Sequence, residues 1–183
     1  MLRRALLAGA ALLALSTPAS AFERQHHLGV GPDLGMLKVA DKSTLSVGAG
    51  LGLHYAYGLT DQFNLMAEAG STIVALDQQQ DTPDAPRTRP ARVDCFGLGV
   101  GYVIDILRWV PYVGVMAGGY GFSGGTIERY HPAVGAQLAL GLDYQLDRSF
   151  AIGVAARQHL VFSEKTYPSF TTFFLRAEYI WGW

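Results

Sequence analysis

The 183-residue chain has one cysteine, Cys95, so no intrachain disulfide is possible. The thiol falls in a strand-like stretch with no reactive partner beside it, which reads as an inert side chain. Beyond the first two dozen residues no apolar run approaches the ~20 residues that a membrane-crossing helix requires. Basic excess is also missing. The 14 Lys and Arg include Arg3 and Arg4, and without those two the 15 acidic residues outnumber the basic ones by three. That balance excludes the electrostatic footprint of a nucleic-acid binder. The histidines His26, His27 and His131 show no metal-ligand spacing, so neither a metal nor another cofactor is expected.

What is present begins with an export signal. Arg3 and Arg4 precede the uncharged apolar run Ala5 to Leu15, and Pro18 leads into Ala19-Ser20-Ala21. A positive start, a short apolar core and a small-x-small end are the pattern of a cleaved signal peptide. Residues 1–21 are therefore expected to be removed, leaving a single domain over residues 22–183. Without a cysteine at position 22, a lipid-anchored start is not expected. His26-His27 would then lie in a solvated tail.

Half of the residues are hydrophobic although no spanning helix exists, and periodicity resolves the tension. From Leu45 to Leu59 the odd positions carry Leu, Val, Ala and Tyr, and the even ones Gly, Ser, His54 and Ala56. Successive strand residues point to opposite faces, so one face is apolar and the other is glycine and polar. A soluble sandwich would bury the large side chains and expose charged ones, not glycine and alanine. Glycine along one face instead suits a tightly curved strand lining a narrow interior. Seven more segments repeat the period: about Leu28 to Val39, Phe63 to Leu76 (the weakest), Cys95 to Ile104, Tyr112 to Phe122, Val134 to Tyr144, Phe150 to Arg157 and Thr171 to Trp183. Pro32 cannot donate to a ladder, so a bulge or an early edge is expected there.

Turn signals divide into short connections (residues 60–62, 106–110 and 147–149) and long ones (residues 77–92, 123–132 and 163–169). They alternate after strand two, with only Ala40 to Ser43 short on the external side, as in a transmembrane β-barrel with tight turns on one side and longer loops on the other. The fold class expected is all-β, a closed eight-stranded antiparallel up-and-down transmembrane barrel with both termini periplasmic. Aromatics should mark the two membrane interfaces. Tyr55, Tyr57, Phe63, Tyr102, Trp109, Tyr112, Tyr144, Phe150, Tyr179, Trp181 and Trp183 fall at the periplasmic ends, and Phe96, Tyr120, Phe122, Phe162, Phe170 and Phe173 at the external ends.

The signal peptide, the glycine-rich alternation and the aromatic end Tyr179-Ile180-Trp181-Gly182-Trp183 resemble the small OmpA/OmpX-type outer-membrane barrel domains. The resemblance spans residues 22–183 as a pattern. It implies residence in a Gram-negative outer membrane among its lipids and lipopolysaccharide, and recognition of the last strand by the barrel-assembly machinery. Glu178 stands where that terminal signal usually has glycine.

Parity sends His54, Glu68, Asp143, Arg157, His159, Arg176 and Glu178 inward. An eight-stranded barrel is just wide enough for side chains to fill, and charges there must pair. Glu68, Asp143 and Glu178 with Arg157 and Arg176 are accordingly expected to plug the lumen. The function expected is a non-enzymatic structural or interaction scaffold whose external loops meet a partner or lipopolysaccharide. A narrow channel for small or apolar solutes is the alternative. A lipid A-modifying acyl hydrolase or transferase is a more distant one, with His159 as base, Ser163 as nucleophile and Glu164 nearby. The inward parity of His159 opposes it. Arg87, Arg89 and Arg92 of the first long loop could meet lipid phosphates, offset by Asp77, Asp81 and Asp84.

Overall fold

A computed structural model describes residues 22–38, 45–74, 92–124, 127–162 and 169–182. The expected signal peptide, the loop arginines Arg87 and Arg89, Ser163 with Glu164, and Trp183 lie outside the described residues.

Eight antiparallel strands follow in chain order: β1 (His26–Lys38), β2 (Leu45–Gly58), β3 (Phe63–Val74), β4 (Arg92–Val103), β5 (Trp109–Gly124), β6 (Ile127–Gln145), β7 (Phe150–Val161) and β8 (Ser169–Trp181). Each pairs with its neighbours in sequence, and β8 returns to β1 to close the barrel. Closure pairs every strand on both sides and leaves no edge. Among the described residues there is no helix. Both ends of the described chain lie at one rim, where His26 pairs with Trp181; we call it the terminal rim and its opposite the far rim.

Alternation decides which way each side chain faces. Leu51, Ile73, Val115, Leu140 and Val154 on the outside are each more than half exposed, Leu51 to 68 %. Their strand neighbours fill the inside, where Met116, Ala139 and Phe174 are buried. The interior is packed because glycines give up their volume to larger neighbours. Gly141 on β6 is one case: a Cβ there would collide with the ring of Tyr112.

Four expectations change. Pro32 causes neither a bulge nor an edge: β1 keeps one register with β2 from His26 to Lys38. Its missing N–H shows instead on the β8 side, where the ladder passes from Val30–Ala177 to Asp33–Phe174 without pairing Gly31 or Pro32. The long loop expected at residues 123–132 is mostly ladder. β5 runs to Gly124 and β6 starts at Ile127, with one register irregularity between Phe122 and Gly124. Strand three, weakest in sequence, alternates regularly at both ends. His26-His27 is no solvated tail but opens β1. His26 stacks on Trp181 with centroids 5.1 Å apart and hydrogen-bonds Tyr55 at 2.8 Å.

Candidate functional site

The interior offers the one dense set of chemically capable side chains among the described residues, and it is built by parity. On β3, Glu68 takes an inward position between Met66 and Gly70. On β8, Arg176 and Glu178 are both inward because they are two residues apart. Asp143 on β6 and Arg157 on β7 face the same space. All five are buried, Arg157 and Arg176 to within 2 % of full occlusion.

Their contacts form one connected chain. Arg176 Nη2 donates to both carboxylate oxygens of Asp143, at 2.8 and 2.7 Å, and Nη1 donates to the Tyr112 hydroxyl at 2.6 Å. One guanidinium nitrogen thus serves both carboxylate oxygens, leaving Nη1 and Nε for other partners. Arg176 Nε also pairs with Glu178. Glu178 then reaches His27 Nδ1 at 3.5 Å and His54 Nε2 at 3.7 Å. The other ring nitrogen of His54, Nδ1, donates to Glu68 at 3.0 Å. Glu68 accepts from the Gln137 amide and pairs with Arg157 Nε at 3.0 Å. Arg157 Nη1 continues to Asp33 at 3.4 Å, and its guanidinium lies 4.0 Å from the centre of the Phe174 ring. Two guanidiniums thus serve four carboxyls, with His54 placed between Glu68 and Glu178 and His27 against Glu178 alone.

The five residues read from the sequence fall in this chain. Sequence reading had put His54 inside without joining it to Glu68 and Glu178, and it missed His27, Asp33 and Gln137 as members. Asp33 and Gln137 stand in alternation with glycine or alanine, so their inward facing was legible. Their partners lie across the barrel, on β7 and β3, and local pattern carries no information about that.

Toward the far rim the filling changes character. Leu37, Val74, Val93, Tyr120, Phe122, Ala133, Val161 and Phe170 pack as one buried apolar cluster, with Cys95 against it. His159 sits at the boundary, fully buried. Its Nδ1 is 3.3 Å from the Tyr120 hydroxyl, its Nε2 is 3.2 Å from Thr172 Oγ1, and its ring stacks on Phe170 at 4.2 Å. Both nitrogens are engaged inside the barrel.

The aromatic belts also need correction. Tyr112, Tyr120, Phe122 and Phe170 were expected at the interfaces, yet all four are buried in the lumen. They share strand parity with inward residues, which overrides the preference of aromatic rings for an interface. Tyr102 and Tyr179 are exposed on the outside, and Tyr55, Tyr57 and Trp181 are half-buried at the terminal rim. Phe63–Tyr102, Trp109–Tyr144, Phe150–Tyr179 and Tyr179–Trp181 form ring pairs with centroids 4.7–5.6 Å apart. Arg92, at the start of β4, pairs with Asp94 at 2.8 Å on the outer side of the far rim.

The profile of the family described as "Outer membrane protein beta-barrel domain" matches residues 7–180. The chain belongs to that family, and the apolar outer face is accordingly its lipid-facing surface in an outer membrane. Among curated proteins no relative is found by sequence. Solved structures share the fold at low identity. Ail, the attachment invasion locus protein of Yersinia pestis, is 16 % identical, with a TM-score of 0.59 over 87 % of this chain and 99 % of that one. The outer membrane protein OprG from Pseudomonas aeruginosa is 12 % identical, with a TM-score of 0.60 over 88 % and 97 %. Neisserial surface protein A is 11 % identical, with a TM-score of 0.58 over 86 % and 97 %.

Proposed function

We propose that this member of the outer membrane β-barrel family is a non-enzymatic scaffold with a sealed lumen, presenting its far-rim loops outside the cell. One observation carries the reading. A continuous chain of buried ion pairs and hydrogen bonds crosses the interior from His27 to Asp33, and an apolar layer closes the space beyond it. An ion entering such a lumen would have to displace paired charges and then cross a hydrocarbon-like plug, each at a cost of several kcal/mol. The narrow-channel reading lacks a comparable observation. The acyl-transfer reading needs a histidine aimed at lipid, whereas His159 is enclosed between Tyr120, Phe170 and Thr172.

In this orientation the terminal rim is periplasmic, residues 1–21 are a cleaved export signal, and the last strand is the segment the assembly machinery reads. Glu178 departs from the usual glycine of that segment for a reason internal to the barrel: it pairs with Arg176 and His27. The outward partners are lipids, lipopolysaccharide and a protein or polysaccharide met by the loops. That Ail was crystallised in complex with the heparin analogue sucrose octasulfate supports a sulfated polysaccharide as a ligand class.

Planar-bilayer recording tests the seal. The purified protein is expected to give no steady current, and large stable openings would replace the scaffold with a pore. Mass spectrometry of lipid A from an expressing outer membrane tests the rest. The acyl pattern should be unchanged, and a change abolished by His159→Ala would restore an enzymatic function.

A further inference from the structure

We infer that residues 22–25 form a cork in the terminal mouth of the barrel, with the Phe22 ring as its stopper, closing the charged lumen on the side opposite to the apolar layer. The inference rests on the sealed-lumen reading and adds to it a removable part.

Phe22 precedes the first strand, yet it is 2 % exposed. Its ring packs with Ala56, Val103, Val110 and Tyr112 inside the mouth and stacks on His27 with centroids 5.9 Å apart. The backbone around it is fastened at both ends. Arg24 N–H donates to Gly58 O at 2.8 Å, Gly58 N–H donates to Gln25 O at 2.9 Å, and Gln25 N–H closes the turn on Phe22 O at 3.2 Å. Arg24 is held in the left-handed region at φ 65°, which a non-glycine residue keeps only where its surroundings fix it. Gly58 is the matching seat, since a Cβ there would collide with the Phe22 carbonyl.

The ring separates two spaces. On its outer side lies a vestibule of about 330 Å³, bordered by Asp105, Arg108 and Asp147. On its inner side is a space of about 20 Å³, bordered by His27, Asn64, Arg176 and Glu178, enough for a single water. His27 Nε2 and Asn64 Oδ1 are both buried there without a hydrogen-bond partner among the described residues. A water occupying that space would donate to both, and Phe22 would stand between it and the vestibule. An apolar ring over a polar, charged cell is the arrangement of a stopper.

The test is protection of engineered thiols in folded barrels, in a Cys95→Ser background, against a charged, hydrophilic methanethiosulfonate reagent. Asn64→Cys places the thiol directly behind Phe22, and Thr72→Cys places one beyond Glu68. Heat-modifiable migration verifies folding of each variant. With Phe22 present both thiols should be protected. Phe22→Ala should abolish protection at position 64 and keep it at position 72. Gly58→Val, which unseats the turn and leaves the ring in the chain, should do the same. Labelling at position 64 with Phe22 present, or continued protection there in both variants, would overturn the cork and leave the seal intact. Labelling at position 72 with Phe22 present would overturn the sealed-lumen reading itself.

Discussion

Toward the terminal rim the lumen holds Asp33, His54, Glu68, Asp143, Arg157, Arg176 and Glu178, with Ala56, Met66, Val103, Val110 and Tyr112 packed beside them. Toward the far rim, on the same strands, it is filled by Leu37, Val74, Val93, Phe122, Val161 and Phe170. Both halves are equally inaccessible, but they are held differently. In the apolar half each side chain contributes its own burial, and the loss of one methyl group costs about 1 kcal/mol without leaving a charge unpaired. In the polar half each charge is tolerable only while its partner is present. The first half is robust to single substitutions and the second is brittle.

Arg157→Leu or Arg176→Leu should be the harshest single change. Either removes the guanidinium from two buried carboxylates, Asp33 and Glu68 or Asp143 and Glu178, at a cost of about 3–5 kcal/mol. Urea unfolding in detergent micelles measures the loss. If the cost matched that of an apolar truncation, the polar half would be hydrated and not sealed, and the contrast between the halves would disappear.

Leu51→Arg and Leu140→Arg probe the opposite face of the same strands. Near mid-height and facing lipid, a guanidinium should cost about 2–4 kcal/mol when unfolding is followed in bilayers. Neutral effects at both positions, with Gly50→Arg disruptive, would mean that the inner and outer faces are reversed.

Val161→Ala in the far-rim cluster should cost about 1.5 kcal/mol, from two methyl equivalents at roughly 0.8 kcal/mol each, with no effect on the ion chain. A conductance increase from this change alone would show that the apolar layer is the only barrier. The smallest effect belongs to Arg92→Ala. Its pair with Asp94 is largely exposed at the rim, so the change should cost under about 1 kcal/mol and diminish further at high salt.

The architecture was legible in the sequence because a period of two is a local property. Leu45 to Leu59 alone shows which face is wet, and eight such segments in 162 residues leave little alternative to a closed barrel. Parity also located the five principal charges. It also locates Tyr112, Tyr120 and Phe122, which alternate with Val113, Val115 and Ala117: register outweighs the preference of aromatic rings for an interface. The hairpin at residues 123–132 was obscured by Gly124, Gly125 and Pro132, which read as loop. Yet Pro132 faces outward on β6 and the ladder continues past it, with Gly121 and Pro132 paired. Pairing across the barrel, such as Glu68 on β3 with Gln137 on β6, depends on the stagger of closure, a property of all eight strands together. No window of sequence contains it.

The lengths of β5 and β6, 16 and 19 residues, have a consequence for how the molecule is approached. A membrane-crossing strand needs about 9–11 residues, and the other six strands run 12–14. β6 begins at Ile127, eight residues beyond Gly135 where β7 ends, whereas β4 accompanies β5 as far as Ser123. At ~3.3 Å per residue, the β5–β6 pair rises roughly 25 Å along the strand direction above the end of β7 and hardly above that of β4. Among the described residues the barrel therefore has a skyline and not a level brim. If the far rim faces outward, as proposed, a molecule approaching along the membrane normal meets the outer side of this mast, with Tyr130 laid across Gly121, before it meets the bilayer.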